Sequence, residues 1–243
     1  MTRDSHLPML AMKEVSLNYR SAKASSFDHG VHHVLDRVSF ELREGETLGI
    51  IGRNGVGKTT ILRVMAGIIA PTSGKVFIRP GVTTSLLSIG LGFLPDLSGR
   101  DNALLSAMLQ GSTKAQAKSY LEGIKEFSEL GESFEEPVKT YSSGMRSRLG
   151  FTTALMTHVD ILLVDEVLSV GDAHFRAKAE AAMTERIGGS QTVVLVSHND
   201  NQMKKICDRS IWIDEGRVAS EGKTRAVLAD YRESIEQQNR SNP

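Results

Sequence analysis

Residues 47–60, TLGIIGRNGVGKTT, pass from an apolar run through three glycines to a Lys-Thr-Thr sequence. Thr47 to Gly52 is a short apolar strand that ends in glycine, and the sequence from Val56 onward, VGKTTILRVMAGII, has apolar residues spaced for a helix that Pro71 closes. A strand, a glycine loop and a helix are the first half of a βαβ unit. Gly52-Arg53-Asn54-Gly55-Val56-Gly57-Lys58-Thr59 fulfils the pattern G-x-x-x-x-G-K-[ST] in the structural context that pattern requires. The glycines let successive backbone N–H groups converge on phosphate oxygens, and the helix N-terminus adds its positive end. Lys58 is expected to reach the β- and γ-phosphates, and Thr59 to ligate Mg²⁺ through its hydroxyl. The binding loop is taken to run from Gly52 to Thr60, so Asn54, Gly55, Gly57 and Thr60 are expected to contribute to it.

Upstream, residues 9–19 and 34–43 contain stretches of alternating apolar and polar residues, the period of half-buried strands, with 21–33 read as a turn or loop between them. Downstream, Asp101 to about Leu130 favours helix, with a break at Gly111, and a second helical stretch runs from about Ser142 to Thr157. DILLVDE and TVVLVS are fully apolar strands leading into helical sequence, which suits parallel strands buried on both faces. The tail after Tyr231 is polar and expected to fray. With 243 residues, one large domain without disulfides is expected.

Composition narrows the function. Lys and Arg together number 29, as do Asp and Glu, so no overall field draws in nucleic acid. The single cysteine, Cys207, rules out an internal disulfide or a multi-cysteine zinc site and suits a reducing cytosol. The opening residues lack a secretory leader, and no run reaches the roughly 18 to 20 apolar residues that span a bilayer. Docking on a membrane protein stays open, since that needs only a surface patch.

The apolar strand 161–164 ends in Asp165 and Glu166, and an acid at the carboxyl end of a parallel strand faces the ligand crevice. Asp165 suits the Mg²⁺ shell, and Glu166 could polarise an attacking water. The alternative for this pair is helix capping. Tyr141-Ser142-Ser143-Gly144-Met145 opens a helix, either as a plain N-cap or as a second anion-binding helix terminus. Here the segment resembles the signature motif of ATP-binding cassette (ABC) ATPases, in a serine-rich form. Ser169-Val170-Gly171-Asp172 follows the acids as a D-loop would. His198 ends the TVVLVS strand where the switch histidine belongs, 33 residues beyond Asp165. Tyr19 occupies the place of the aromatic that stacks on adenine, although alone it reads equally as a strand residue.

The resemblance covers about Leu10 to Tyr231. It is nearest to the ATPase subunits of polysaccharide exporters, which move O-antigen, capsule or teichoic acid. IIGRNGVGKTT, YSSGMRSRL, LLVDEVLSVGDAHF and SHNDNQMKKICDRSIWIDEGRV carry it, with GLGFLPDLSGRDN before the helical segment. It implies an α/β fold of the P-loop NTPase type: a mostly parallel RecA-like core sheet, an N-terminal antiparallel β subdomain, and an α-helical subdomain inserted at about 98–157. A single domain would cover 1–231, with 232–243 as a polar tail. It also implies ATP and Mg²⁺ as ligands, Glu166, His198 and Lys58 as the catalytic set, and a γ-phosphate-sensing role for His198. Ser142, Ser143, Gly144 and Asp172 would serve the nucleotide of a second copy in an ATP-sandwich homodimer. An integral-membrane permease is the implied partner, at the cytoplasmic face of the inner membrane. The glycan is expected on the permease and not on this chain.

One departure stands out. Between Ser85 and Asp101 there is no glutamine of the kind most ABC ATPases carry there to touch Mg²⁺, and Ser88 is the nearest polar residue. The glutamine's role falls to no identifiable side chain. Three other readings stand beside the exporter: a lipid, drug or peptide as cargo, a soluble ABC protein of translation or DNA repair, and an inactive nucleotide-binding module.

Overall fold

The computed structural model describes residues 7–20, 31–87, 93–165, 172–187, 189–197 and 199–241. These fall into two compact bodies, one of residues 1–82 and 190–243, the other of residues 83–189.

The first body contains two sheets. β1 (Leu10–Arg20) lies antiparallel between β2 (Val31–Leu42) and β4 (Ser73–Ile78). The segment expected as loop through residue 33 is therefore strand from Val31, where His32 and His33 pair with Tyr19 and Asn18. Leu10, Met12, Val15, Leu17, Leu35, Val38 and Leu42 are buried, and each such side chain contributes about 1.5–3 kcal/mol. The register slips between Met12 and Val15, where Glu14 adopts positive φ, and again between Val15 and Leu17, opposite Arg37, whose φ is positive too. A hydroxyl stabilises each irregularity: the Glu14 N–H donates to Ser39 Oγ at 2.9 Å and the Arg37 N–H to Ser16 Oγ at 3.0 Å.

The second sheet of this body runs β7 (Thr192–Val196), β3 (Thr47–Ile51), β8 (Arg209–Asp214), β9 (Arg217–Lys223). β3 is parallel to both β7 and β8, and β9 returns antiparallel to β8. Every residue of β3 and β7 is buried, as continuous apolar runs require in a two-faced parallel sheet. α1 (Lys58–Met65) follows β3 and stops well short of Pro71, because Gly67 takes a left-handed turn (φ 69°). α6 (Asp200–Ile206) follows β7.

α7 (Thr224–Ser241) overturns the expectation of a frayed tail: the helix continues through residues 232–241. Glu, Gln and Arg are good helix formers whatever their polarity. Arg232 bonds Asp200 of α6 at 2.9 Å, and Tyr231 packs on Trp212 with ring centroids 5.8 Å apart.

The second body pairs β5 (Thr84–Leu87) parallel to β6 (Ile161–Val164) and carries α2 (Gly99–Leu109), α3 (Lys114–Ser128), α4 (Ser143–Met156) and α5 (Ala173–Ile187). The helical insertion expected at 98–157 lies wholly within it. Each helix start has a chemical cause. Ser98 caps α2 and Ser142 caps α4 through their hydroxyls, while Thr113 and Gln116 form a reciprocal capping box on α3. The break expected at Gly111 separates α2 from α3. Ala103, Leu121, Ile124, Phe134, Val138, Tyr141 and Leu149 form one buried cluster among the helices. Arg100 lies over the Phe134 ring at 5.2 Å and grips Glu135 with two nitrogens, holding that carboxyl below its ordinary range.

Candidate functional site: a nucleotide-binding loop and a second helix terminus

The first body holds the loop between β3 and α1. Gly52 leaves the strand at φ 153°, and a Cβ there would lie 2.5 Å from the Ile213 carbonyl oxygen on neighbouring β8. Only glycine lets the chain turn out of the sheet at that spot. Gly55, at the exposed tip, has φ 83°, which strains any other residue. Gly57 is the N-cap of α1 and supplies no side-chain cap, and the first turn has no acid. The helix thus presents backbone N–H groups that no side chain of its own cap covers, a site suited to an anion.

Lys58 is 7% exposed, and its Nζ donates to the carbonyls of Gly52 at 2.7 Å and Arg53 at 2.8 Å. The ammonium is folded back over the loop, the position from which it can meet phosphate oxygens. Thr59 and Thr60 are half-buried in the first turn, while Arg53 and Asn54 are exposed on the rim. These features fit a polyphosphate. Tyr19, 45% exposed, stands near the end of β1.

The second body holds the other candidates. Ser142 caps α4, its Oγ accepting from the Met145 N–H at 3.2 Å, and Ser142 and Ser143 are exposed with Gly144 half-buried. α4 too has no acid in its first turn. At its other end Arg186 donates to the carbonyls of Ala154, Leu155 and Thr157, a cation placed where the helix dipole is negative. Asp165 follows β6 and is half-buried. Asp172 caps α5: its Oδ1 accepts from the Phe175 N–H at 2.9 Å, the main cause of a carboxyl held below the usual range. Arg148 adds an ion pair to it.

Glu166, Ser169, Val170, Gly171, His198 and Ser88 lie outside the described residues. The flanks of His198 are ordered by polar bonds, with the Asn199 N–H donating to Ser197 Oγ at 3.1 Å and Asn199 capping α6.

Sequence reasoning missed four contacts. Arg53 bonds Gln238 of α7 at 2.7 Å, Ser85 of β5 donates to Gln110 at the end of α2 at 2.8 Å, and Arg148 meets both Glu129 and Asp172. Their partners are far apart in sequence, and no periodicity or motif announces them.

A glycine loop between a buried parallel strand and an uncapped helix defines a P-loop nucleotide-binding protein. The ABC transporter family pattern matches residues 35–169, which is 135 of the 243 residues, and the chain belongs to that family. It is 43% identical over 92% of its length to the O-antigen export system ATP-binding protein RfbB of Myxococcus xanthus, of which it spans 51%. With the Klebsiella pneumoniae protein of the same name it shares 42% identity over 83% of this chain and 81% of that one. With the teichoic acids export ATP-binding protein TagH of Lactococcus lactis the figures are 42%, 83% and 43%. The chain therefore spans about half or less of two of these relatives and most of the third. Among solved structures, the dimeric ATP-binding cassette MJ0796 bound to ADP and Pi matches with a TM-score of 0.71 over 89% of this chain and 99% of that one, at 22% identity. That likeness establishes the fold. Among the described residues no helix is long and apolar enough to cross a membrane.

Proposed function

We propose that this chain powers the export of a lipid-linked polysaccharide, of O-antigen, capsule or teichoic acid type, by hydrolysing ATP at the cytoplasmic face of the inner membrane. The observation that carries the reading is 42% identity spanning 81% of a protein named for O-antigen export. Phosphoryl transfer needs charge neutralisation and an aligned water more than covalent chemistry from the protein. Lys58 and the N–H groups of Gly52 to Thr60 supply the first. Thr59 and Asp165 would hold Mg²⁺, whose hard-cation preference suits a hydroxyl, a carboxylate and phosphate oxygens, and which would neutralise charge on those phosphates. Glu166 serves as the base that orients water, His198 senses the γ-phosphate, and Tyr19 stacks on the adenine.

Two copies work head to tail, with Ser142, Ser143, Gly144 and Asp172 facing the partner copy's nucleotide. The uncapped, acid-free first turn of α1 supports the anion role of the loop, and the acid-free first turn of α4 supports that of the signature serines. Closure of the pair drives a separate permease, which binds the glycan. The test is a membrane pulldown of tagged chain carrying Glu166→Gln in the presence of ATP. Recovery of a polytopic membrane protein with bound lipid-linked glycan supports the proposal. Recovery of ribosomes, DNA or no membrane protein overturns the export role.

A further inference from the structure

Four charges and three aromatic rings form one cluster in the second body. Arg148 of α4 pairs with Glu129, the residue that ends α3, at 3.3 Å and also with Asp172 at the start of α5. Lys178 of α5 donates to Glu129 Oε1 at 2.7 Å and to the Phe127 carbonyl at 3.0 Å. The Arg148 guanidinium lies 5.0 Å above the Phe175 ring, and the Lys178 ammonium 4.5 Å above that of Phe127. Phe175 meets Phe127 and Phe151 edge to face at 5.9 and 6.2 Å. Glu129 tolerates a left-handed backbone (φ 57°) while accepting from both cations.

The two cations do different things. Lys178 ties α5 to the end of α3 and touches nothing assigned to nucleotide chemistry. Arg148 sits on the helix whose first turn is Ser142, Ser143 and Gly144, and reaches the carboxylate six residues after Glu166. Capping α5 needs only one oxygen of Asp172, which the Phe175 N–H already uses. The arginine takes the other, so the side chain is pinned at both oxygens although it is 59% exposed. Such double engagement goes beyond what the helix end requires. A planar guanidinium stacked on a ring is pre-organised for it, where a lysine would not be.

We propose that Arg148 is a positioning residue for ATP hydrolysis, holding Asp172 and the signature serines in fixed relation so that both present to the partner copy's nucleotide together. This rests on the ATPase reading above. It acts through geometry and not through contact with the nucleotide, so it governs turnover and leaves ATP affinity almost untouched.

Steady-state hydrolysis by the full chain tests it with Arg148→Met, Arg148→Lys, Asp172→Asn, Lys178→Met and the Arg148→Met/Asp172→Asn pair. Misplacement of a catalytic constellation by about 1 Å costs up to about 100-fold, so Arg148→Met is expected to lower kcat by about tenfold or more with KM for ATP within about twofold. Arg148→Lys recovers part of the loss. The double variant is no slower than the worse single one, because both remove one interaction. Lys178→Met lowers Tm yet keeps kcat, since it strips the cluster of as many contacts without touching Asp172. Wild-type kcat in Arg148→Met, strict additivity in the double variant, or a parallel fall of Tm and kcat in Arg148→Met and Lys178→Met would each overturn the proposal. Absence of turnover in the unsubstituted chain would remove the ATPase reading itself, and this inference with it.

Discussion

Gly52→Ala makes the demand on the binding loop measurable. The backbone at residue 52 has φ 153°, a region that costs a residue with a side chain about 1–3 kcal/mol. The added Cβ would also stand 2.5 Å from the Ile213 carbonyl oxygen. That oxygen belongs to β8, whose parallel pairing with β3 places Trp212 opposite Ile51, so it cannot retreat without loosening the ladder. Overpacking of this kind adds about 1–3 kcal/mol. The sum, about 2–6 kcal/mol, is a large part of a typical folding free energy of about 5–15 kcal/mol. At about 2–4 °C per kcal/mol for a chain of this size, Tm should fall by about 10 °C. Gly55→Ala is the matched control: its φ is 83°, yet its Cβ would meet nothing within 4 Å. Strain alone, about 1–2 kcal/mol, should lower Tm by about 3–6 °C. Thermal melts followed by circular dichroism, beside ATP titrations, read both variants. Equal melting temperatures for the two, or an unchanged one for Gly52→Ala, would refute the claim that backbone proximity to β8 fixes the loop.

Other consequences follow from single groups. Lys58→Ala removes a charge-assisted contact of about 1.5–3 kcal/mol, so equilibrium binding should show ATP held about 10- to 100-fold more weakly. Glu166→Gln should retain ATP binding and lose turnover by about 100-fold or more, and a wild-type rate would void its assignment as base. The carboxyls of Glu135 and Glu129 lie below the ordinary 4.5, through hydrogen bonds from Arg100 and Lys178 respectively. A depressed folded value stabilises above the unfolded one and is lost as pH falls through it, so Tm should hold down to about pH 5 and drop below about pH 4. Arg100→Met should lower Tm at neutral pH and make that acid loss shallower. Burial pushes the Cys207 thiol up to about 12, so it should resist alkylation in the folded chain and react readily in denaturant.

What was legible in the sequence was whatever physics writes locally. Unbroken apolar runs announced β3, β6 and β7, and glycine spacing with Lys58 announced the loop. Ser142 marked the start of α4, while the caps at Ser98 and Thr113 that begin α2 and α3 emerge only in the structure. The misses share a cause as well. β9 alternates exposed and half-covered residues along RVASEGK, with too little apolar character to stand out. α7 was masked by its polarity, since what holds it, Tyr231 on Trp212 and Arg232 on Asp200, is tertiary. α1 is shorter than its apolar spacing suggests, because the left-handed Gly67, and not Pro71, ends it. The cluster around Arg148 joins residues 129, 148, 172 and 178, and no single-sequence period connects those positions.

If hydrolysis at this loop drives glycan export, complementation in cells will reveal it. The gene is deleted and restored with the wild-type chain or with Glu166→Gln, and surface and cytosolic polysaccharide are measured. Surface glycan is expected to disappear on deletion while its lipid-linked form accumulates inside. The wild-type chain should bring it back and Glu166→Gln should not. Normal surface glycan in the deletion strain, or full restoration by Glu166→Gln, would contradict it.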